Sequence, residues 1–148
     1  MADFQQTIAK LFPEATFEQA DTLVVNIADA QWHSLAKELK ENPALGFDYL
    51  ITIVGMDWKE SFGCIYYLQN ADNEVISVKV TTTDRENPML HSIADLWAIA
   101  CIYEREVYDF FGIVFIGNPD MRRLFLSIDW KGYPLSLIHI SEPTRLLS

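Results

Sequence analysis

Cysteine, histidine and positive charge are all scarce in this chain. Its two cysteines, Cys64 and Cys101, are far apart and have no CxxC companion. An iron–sulfur cluster needs about four thiolates and a structural zinc about four Cys or His ligands. The three histidines, His33, His91 and His139, cannot make up the difference, so no metal or cluster site is expected. Cys64 and Cys101 read instead as small core residues, and His33 and His91 as surface or capping residues. Eleven Lys and Arg face 21 Asp and Glu, a formal charge of −10. That balance excludes a general nucleic-acid binder and unaided adhesion to anionic lipid. No glycine-rich loop opens a helix to cradle phosphate. No run approaches the ~18 apolar residues of a membrane span. The start, MADFQQTIAKLF, has neither signal-peptide nor Arg-rich transit character, so the protein is expected to stay where it is made.

What is present is apolar. Half of the 148 residues are hydrophobic and 13% are aromatic, enough for one domain with a substantial core. Asp3 and Gln6 resemble a capping box for a first helix with Phe4, Ile8, Leu11 and Phe12 on one face, ended by Pro13. Residues 22–27 (TLVVNI) form a β-branched strand. Asp29 can then cap a second helix with Trp32, Leu35, Ala36 and Leu39 on its stripe. Residues 47–58 are apolar enough for a central buried strand, whereas 62–69 and 75–83 alternate like half-exposed neighbours. Asn70 to Asn73 makes the hairpin link between the last two. Apolar spacing from Ile93 through Phe110 predicts a helix over 92–111, with Gly112 as its left-handed stop. An extended run over 113–116 follows. The order α-β-α-β-β-β-α implies an α+β fold: a small mixed sheet of about four to five strands, helices on one face, and an extended C-terminal tail.

Side chains of chemical interest crowd into residues 103–135. Glu106 and Asp109 lie three apart on one helix face and could serve as an acid/base pair. Arg105 and Asp109, four apart, fit an ion-pair network, and because no His, Cys or Ser completes a catalytic constellation, an interface or fold-locking network is the better reading. Arg122 and Arg123 suit pairing with carboxylates, within the fold or across an interface, better than phosphate binding. Trp130 is either an interface anchor or a residue packing the tail onto its own sheet. The segment reads as a docking surface.

Those residues closely resemble the signature of the C-type subunit, the 30 kDa subunit family, of respiratory complex I (NADH:quinone oxidoreductase). The family carries E-R-E-x-x-D-x-F-G-I, then G-H-P-D-x-R-R, then D-W-x-G-x-P-L. This chain supplies Glu104, Arg105, Glu106, Tyr108, Asp109, Phe111, Gly112 and Ile113, then Gly117, Pro119, Asp120, Arg122 and Arg123, then Asp129, Trp130, Gly132, Pro134 and Leu135. Asn118 stands where the family usually has histidine, a tolerable change in a turn. The resemblance implies an α+β domain over 1–116 and a partner-docking segment over 117–135. Residues 136–148 (SLIHISEPTRLLS) depart from the family and read as an adaptor-like, non-native tail.

The resemblance also implies a function. The chain would be a non-redox scaffold of the peripheral arm, on the cytoplasmic side of the bacterial inner membrane, packed on the D-type partner that helps form the quinone site. It would bind no cofactor itself; NADH, quinone, flavin and iron–sulfur clusters would belong to the complex and its partner subunits. An equivalent subunit of a membrane-bound nickel–iron hydrogenase is the alternative host, and a stand-alone enzyme using Glu106 and Asp109 is the reading from another class.

Overall fold

A five-stranded mixed sheet forms the platform on which everything else rests. The computed structural model describes residues 2–59, 61–82 and 86–119. Helix α1 (Ala2–Leu11) leads into β1 (Thr16–Gln19) and β2 (Leu23–Ala28), and α2 (Asp29–Glu41) follows. Strands β3 (Tyr49–Asp57), β4 (Phe62–Gln69) and β5 (Val75–Thr82) form a meander. A short β6 (Met89–His91), helix α3 (Ala100–Phe111) and β7 (Val114–Ile116) complete the described order. The sheet order is β1-β2-β5-β4-β3, with β6 and β7 forming a separate parallel pair. Only β2–β5 is parallel within the large sheet; β1–β2, β5–β4 and β4–β3 are antiparallel.

Register explains why two helices share one side. Cross-strand partners lie on the same face of a sheet, and Phe17, Val25, Val78, Tyr66 and Ile53 form one row across all five strands. Trp32 of α2 meets Tyr66 in that row, their ring centroids 4.5 Å apart. Gly55 lies two residues beyond Ile53, on the same face, and α3 sits directly over it. A Cβ on Gly55 would stand 2.6 Å from Phe111 Cδ2 and 3.2 Å from Val107 Cγ1. Both α2 and α3 therefore pack on one face, as the sequence led us to expect. The other face is partly open, with Lys79 over the Trp58 ring and 3.7 Å from Glu18.

Several elements differ from the sequence reading. The run over 47–58 is not central: β3 is an edge strand with Tyr49 and Val54 exposed. Its apolar residues serve α3 rather than a second neighbouring strand, and β5 and β4 hold the middle. The third helix starts at Ala100, since residues 92–99 are loop and turn. Asp29 is not a cap; Ala28 occupies that position without a side-chain bond, and Asp29 reaches instead to His91. Helix α1 begins at Ala2, so Asp3 lies inside it, and Leu11 faces solvent while Ile8 and Phe12 are buried. β1 and β6 are too short to leave a hydropathy pattern. The hairpin link is as expected: Asn70 Oδ1 accepts from the amides of Asp72 and Glu74, and Asn73 takes a positive φ of 65°.

The contact at Gly55 yields a test. Gly55→Ala should lower stability by about 1–3 kcal/mol through overpacking, measured by denaturant unfolding. Combined with Phe111→Val, its cost should fall well below the sum of the two single changes. Strict additivity would mean that α3 does not rest on this glycine.

Candidate functional site

The signature helix divides its side chains between the inside and the outside of the molecule. Ala100, Glu104 and Val107 are its buried residues, and Tyr108 and Phe111 pack half-buried against the core. Gly112 ends the helix at φ 75° in the left-handed region, its amide donating to Tyr108 O at 2.8 Å. Arg105 is half-buried, with no hydrogen-bond partner for Nε among the described residues. Glu106 is exposed and Asp109 half-buried, so the proposed acid/base pair lies toward solvent on the outer side.

Glu104 is the centre of the site. It is fully buried, at 0% exposure, and three donors converge on its carboxylate. Ser92 Oγ donates to Oε1 at 2.6 Å, Asn118 Nδ2 to Oε1 at 2.8 Å, and the Ile93 amide to Oε2 at 2.8 Å. Ser92 Oγ accepts in turn from the Ala94 amide at 3.0 Å. Asn118, 2% exposed, also donates to Cys101 O at 3.3 Å. One carboxylate thus joins α3, the loop after β6 and the turn after β7. Burial raises its pKa above the ordinary 4.5, and the bonds from Ser92, Ile93 and Asn118 pull the other way. Burial, reinforced by Glu104, also pushes the Cys64 thiol far up. Cys64 is therefore an inert core thiol, as expected, whereas Cys101 is half-buried at the edge of the network.

A second set of contacts ties α2 to the end of β6 and to the loop that follows it. Asp29 accepts from the His91 amide at 2.8 Å and pairs with His91 Nδ1 at 2.7 Å. His33 Nε2 lies 2.9 Å from Asp95. Lys40 donates to Leu96 O and lies over the Trp97 ring. His33 and His91 are surface side chains, as expected, and each is partnered by a carboxylate. Among the described residues, no group of three or more His, Cys, Asp or Glu is arranged to hold a metal. A shallow groove of about 450 Å³ beside the network is lined by Ala94, Asp95, Ala98, Cys101, Gly117 and Pro119.

The structure brings Glu104, Gly117 and Pro119 into one neighbourhood with Asn118 and with Ser92, of which only Ser92 was passed over by sequence reasoning. Asn118 is more than a tolerable change in a turn: it is a buried donor, and a histidine there could supply the same N–H. That pairing of types was the available signal. Asp120, Arg122, Arg123, Asp129, Trp130, Gly132 and Pro134 lie outside the described residues, as does the 136–148 segment.

Comparison with known proteins gives the arrangement a context. A model of the family described as respiratory-chain NADH dehydrogenase, 30 kDa subunit, matches residues 25–140. A C-type subunit of NADH-quinone oxidoreductase from Chloroherpeton thalassium is 36% identical over 128 residues, 84% of this chain and 49% of its own length. A C/D-type subunit of NADH-quinone oxidoreductase from Phocaeicola vulgatus is 50% identical over 99 residues, 66% of this chain and 19% of its own. The chain thus spans about half of the first relative and about a fifth of the second. A chain from the membrane-bound sulfane sulfur reductase, an archaeal respiratory membrane complex, superposes with a TM-score of 0.74 at 20% identity, covering 99% of this chain and 98% of that one. This last likeness concerns the fold alone. No helix among the described residues is long and apolar enough to cross a membrane.

Two outcomes test the Glu104 network. Glu104→Ala would leave three buried donors without an acceptor and should cost about 3 kcal/mol or more in unfolding free energy. The pH dependence has a definite sign. A carboxyl whose folded pKa is raised contributes stability below its unfolded value, near 4.5, and loses that contribution as pH rises through the folded value. Stability of the parent relative to Glu104→Gln should therefore climb as pH is lowered toward 4.5. Parallel pH profiles would contradict the raised pKa.

Proposed function

The chain belongs to the 30 kDa (C-type) subunit family of respiratory complex I, and on that premise we propose that it is a non-redox scaffold of the peripheral arm. In this reading it packs on the D-type partner at the cytoplasmic face of the bacterial inner membrane. It fixes the geometry of the quinone module while electrons pass from NADH to quinone through its neighbours. The chain itself holds no flavin, cluster or active site. Relatives such as the Phocaeicola protein, whose name joins the C and D types in one polypeptide, support this choice of partner.

The observation that carries the reading is how α3 uses its carboxylates. Glu104, the first charged residue of the signature, is sealed inside and spent on holding three chain segments together. Such a group has no access to substrate. What it does is fix the orientation of the helix, and a position fixed to a fraction of an ångström is what a spacer between redox partners requires. The scaffold reading also explains the Arg122–Arg123 pair, since arginine forks suit carboxylates at an interface.

The test is recovery from membranes. Tagged chain, expressed in its own host and purified after mild solubilisation, should bring down the quinone-module and NADH-oxidising subunits. Changing Arg122 and Arg123 to Glu should lower the amount of assembled complex without altering the redox centres in whatever assembles. Stoichiometric flavin or iron on the isolated chain would refute the non-redox role, and nickel–iron subunits in the eluate would move the scaffold to a hydrogenase-type host.

A further inference from the structure

The outer side of α3 carries large side chains that the described fold leaves uncovered. At about 100° per residue, Ile99, Ile102, Glu106 and Phe110 fall within about 80° of arc, opposite Ala100, Glu104, Val107 and Phe111. Ile99 is 42% exposed, Ile102 53% and Phe110 56%, and Glu106 is exposed between them. Along the axis the stripe runs about 16 Å. An apolar helix face of this kind marks an interaction surface.

We propose that this stripe seats a different polypeptide, one that presents apolar side chains to Ile102 and Phe110 and a lysine or arginine to Glu106. The inference rests on the scaffold reading above and names the face that it uses. Charge selects the occupant. Glu106 lies near the middle of the stripe, so a second copy laid across it about a twofold axis would bring two carboxylates side by side. Each copy also carries a net charge of −10, which opposes self-association. A lipid surface fits no better, because none of the four residues is basic. A basic partner, by contrast, turns Glu106 into the element that fixes register, since a charge amid apolar contacts admits only a partner with its complement. The inner side of the same helix is held by the Glu104 bonds, so the stripe is presented on a fixed support.

The test uses the tagged full chain in its own host. Ile102→Glu and Phe110→Glu should each reduce recovered partner subunits by about tenfold or more, a loss of roughly 1.4 kcal/mol in association. Because both positions face solvent, thermal unfolding of the variants should match the parent. Glu106→Lys should reduce recovery as well. A photo-crosslinking residue at Ile102, which leaves the fold intact, should join this chain to another polypeptide. Undiminished recovery, an adduct between two copies of this chain, or an adduct to its own residues 120–148 would each overturn the proposal. If the parent chain recovers partners and Ile102→Glu recovers them equally, the stripe fails and the scaffold reading stands. If the parent recovers none, both fall.

Discussion

The buried carboxylate of Glu104 is the constraint around which the C-terminal half of the described structure is arranged. A carboxyl group removed from water loses several kcal/mol of solvation unless bonds inside the protein replace what water supplied. Here the replacements come from three separate places: a hydroxyl on Ser92, a backbone amide on Ile93 and a side-chain amide on Asn118. Any rearrangement that moves one of these segments strands a donor or leaves the carboxyl short of partners. The network therefore penalises alternatives more than it adds to stability, which is the usual asymmetry of buried hydrogen bonds.

The consequences spread through the chain. The loop holding Ser92 and Ile93 is also gripped from the far side by α2, through Asp29–His91, His33–Asp95 and Lys40. The loop is thus a shared joint between two helices that lie on the same face of the sheet. Beneath them the sheet provides a flat contact at Gly55, where the missing side chain lets Phe111 approach the strand. Polar bonds fix the direction of α3 and close packing fixes its height. Neither alone would do both, because apolar contacts are not directional and a bonded loop can still slide on an open face.

Much of this was legible in the sequence and part was not, for identifiable reasons. The alternation in residues 62–69 and 75–83 marked two strands with one buried face, and the Asn-rich link marked their hairpin. The α2 stripe of Trp32, Leu35, Ala36 and Leu39 is buried as its spacing required. Residues 92–99 misled because Ile93, Leu96 and Trp97 keep helical spacing within one isolated turn, where Leu96 and Trp97 amides donate to Ile93 O. Periodicity cannot distinguish that turn from a continuous helix; the loop-and-turn backbone over 92–99 does. An apolar run likewise does not say whether its burial comes from a neighbouring strand or an overlying helix, which is why β3 read as central. The part played by Asn118 was hidden because a polar residue in a Gly-Asn-Pro turn has an ordinary explanation near at hand.

The division of labour along α3 bears on what this fold is for. An enzyme places ionisable groups at the wall of a cleft, where desolvation tunes them toward proton transfer. In α3 the most strongly desolvated acid points away from solvent into the network that orients the helix, while Ile102 and Phe110 point outward. That arrangement suits the scaffold role proposed above. It gives a surface whose position relative to the sheet is set by bonds on its hidden side, so contacts made on the visible side transmit that position to whatever they touch. Electron transfer and quinone chemistry depend on separations held closely over many turnovers, and a side chain can serve such chemistry without touching it. In the proposed scaffold role, Glu104 would serve the assembly by orienting α3 through the bonds on its hidden side.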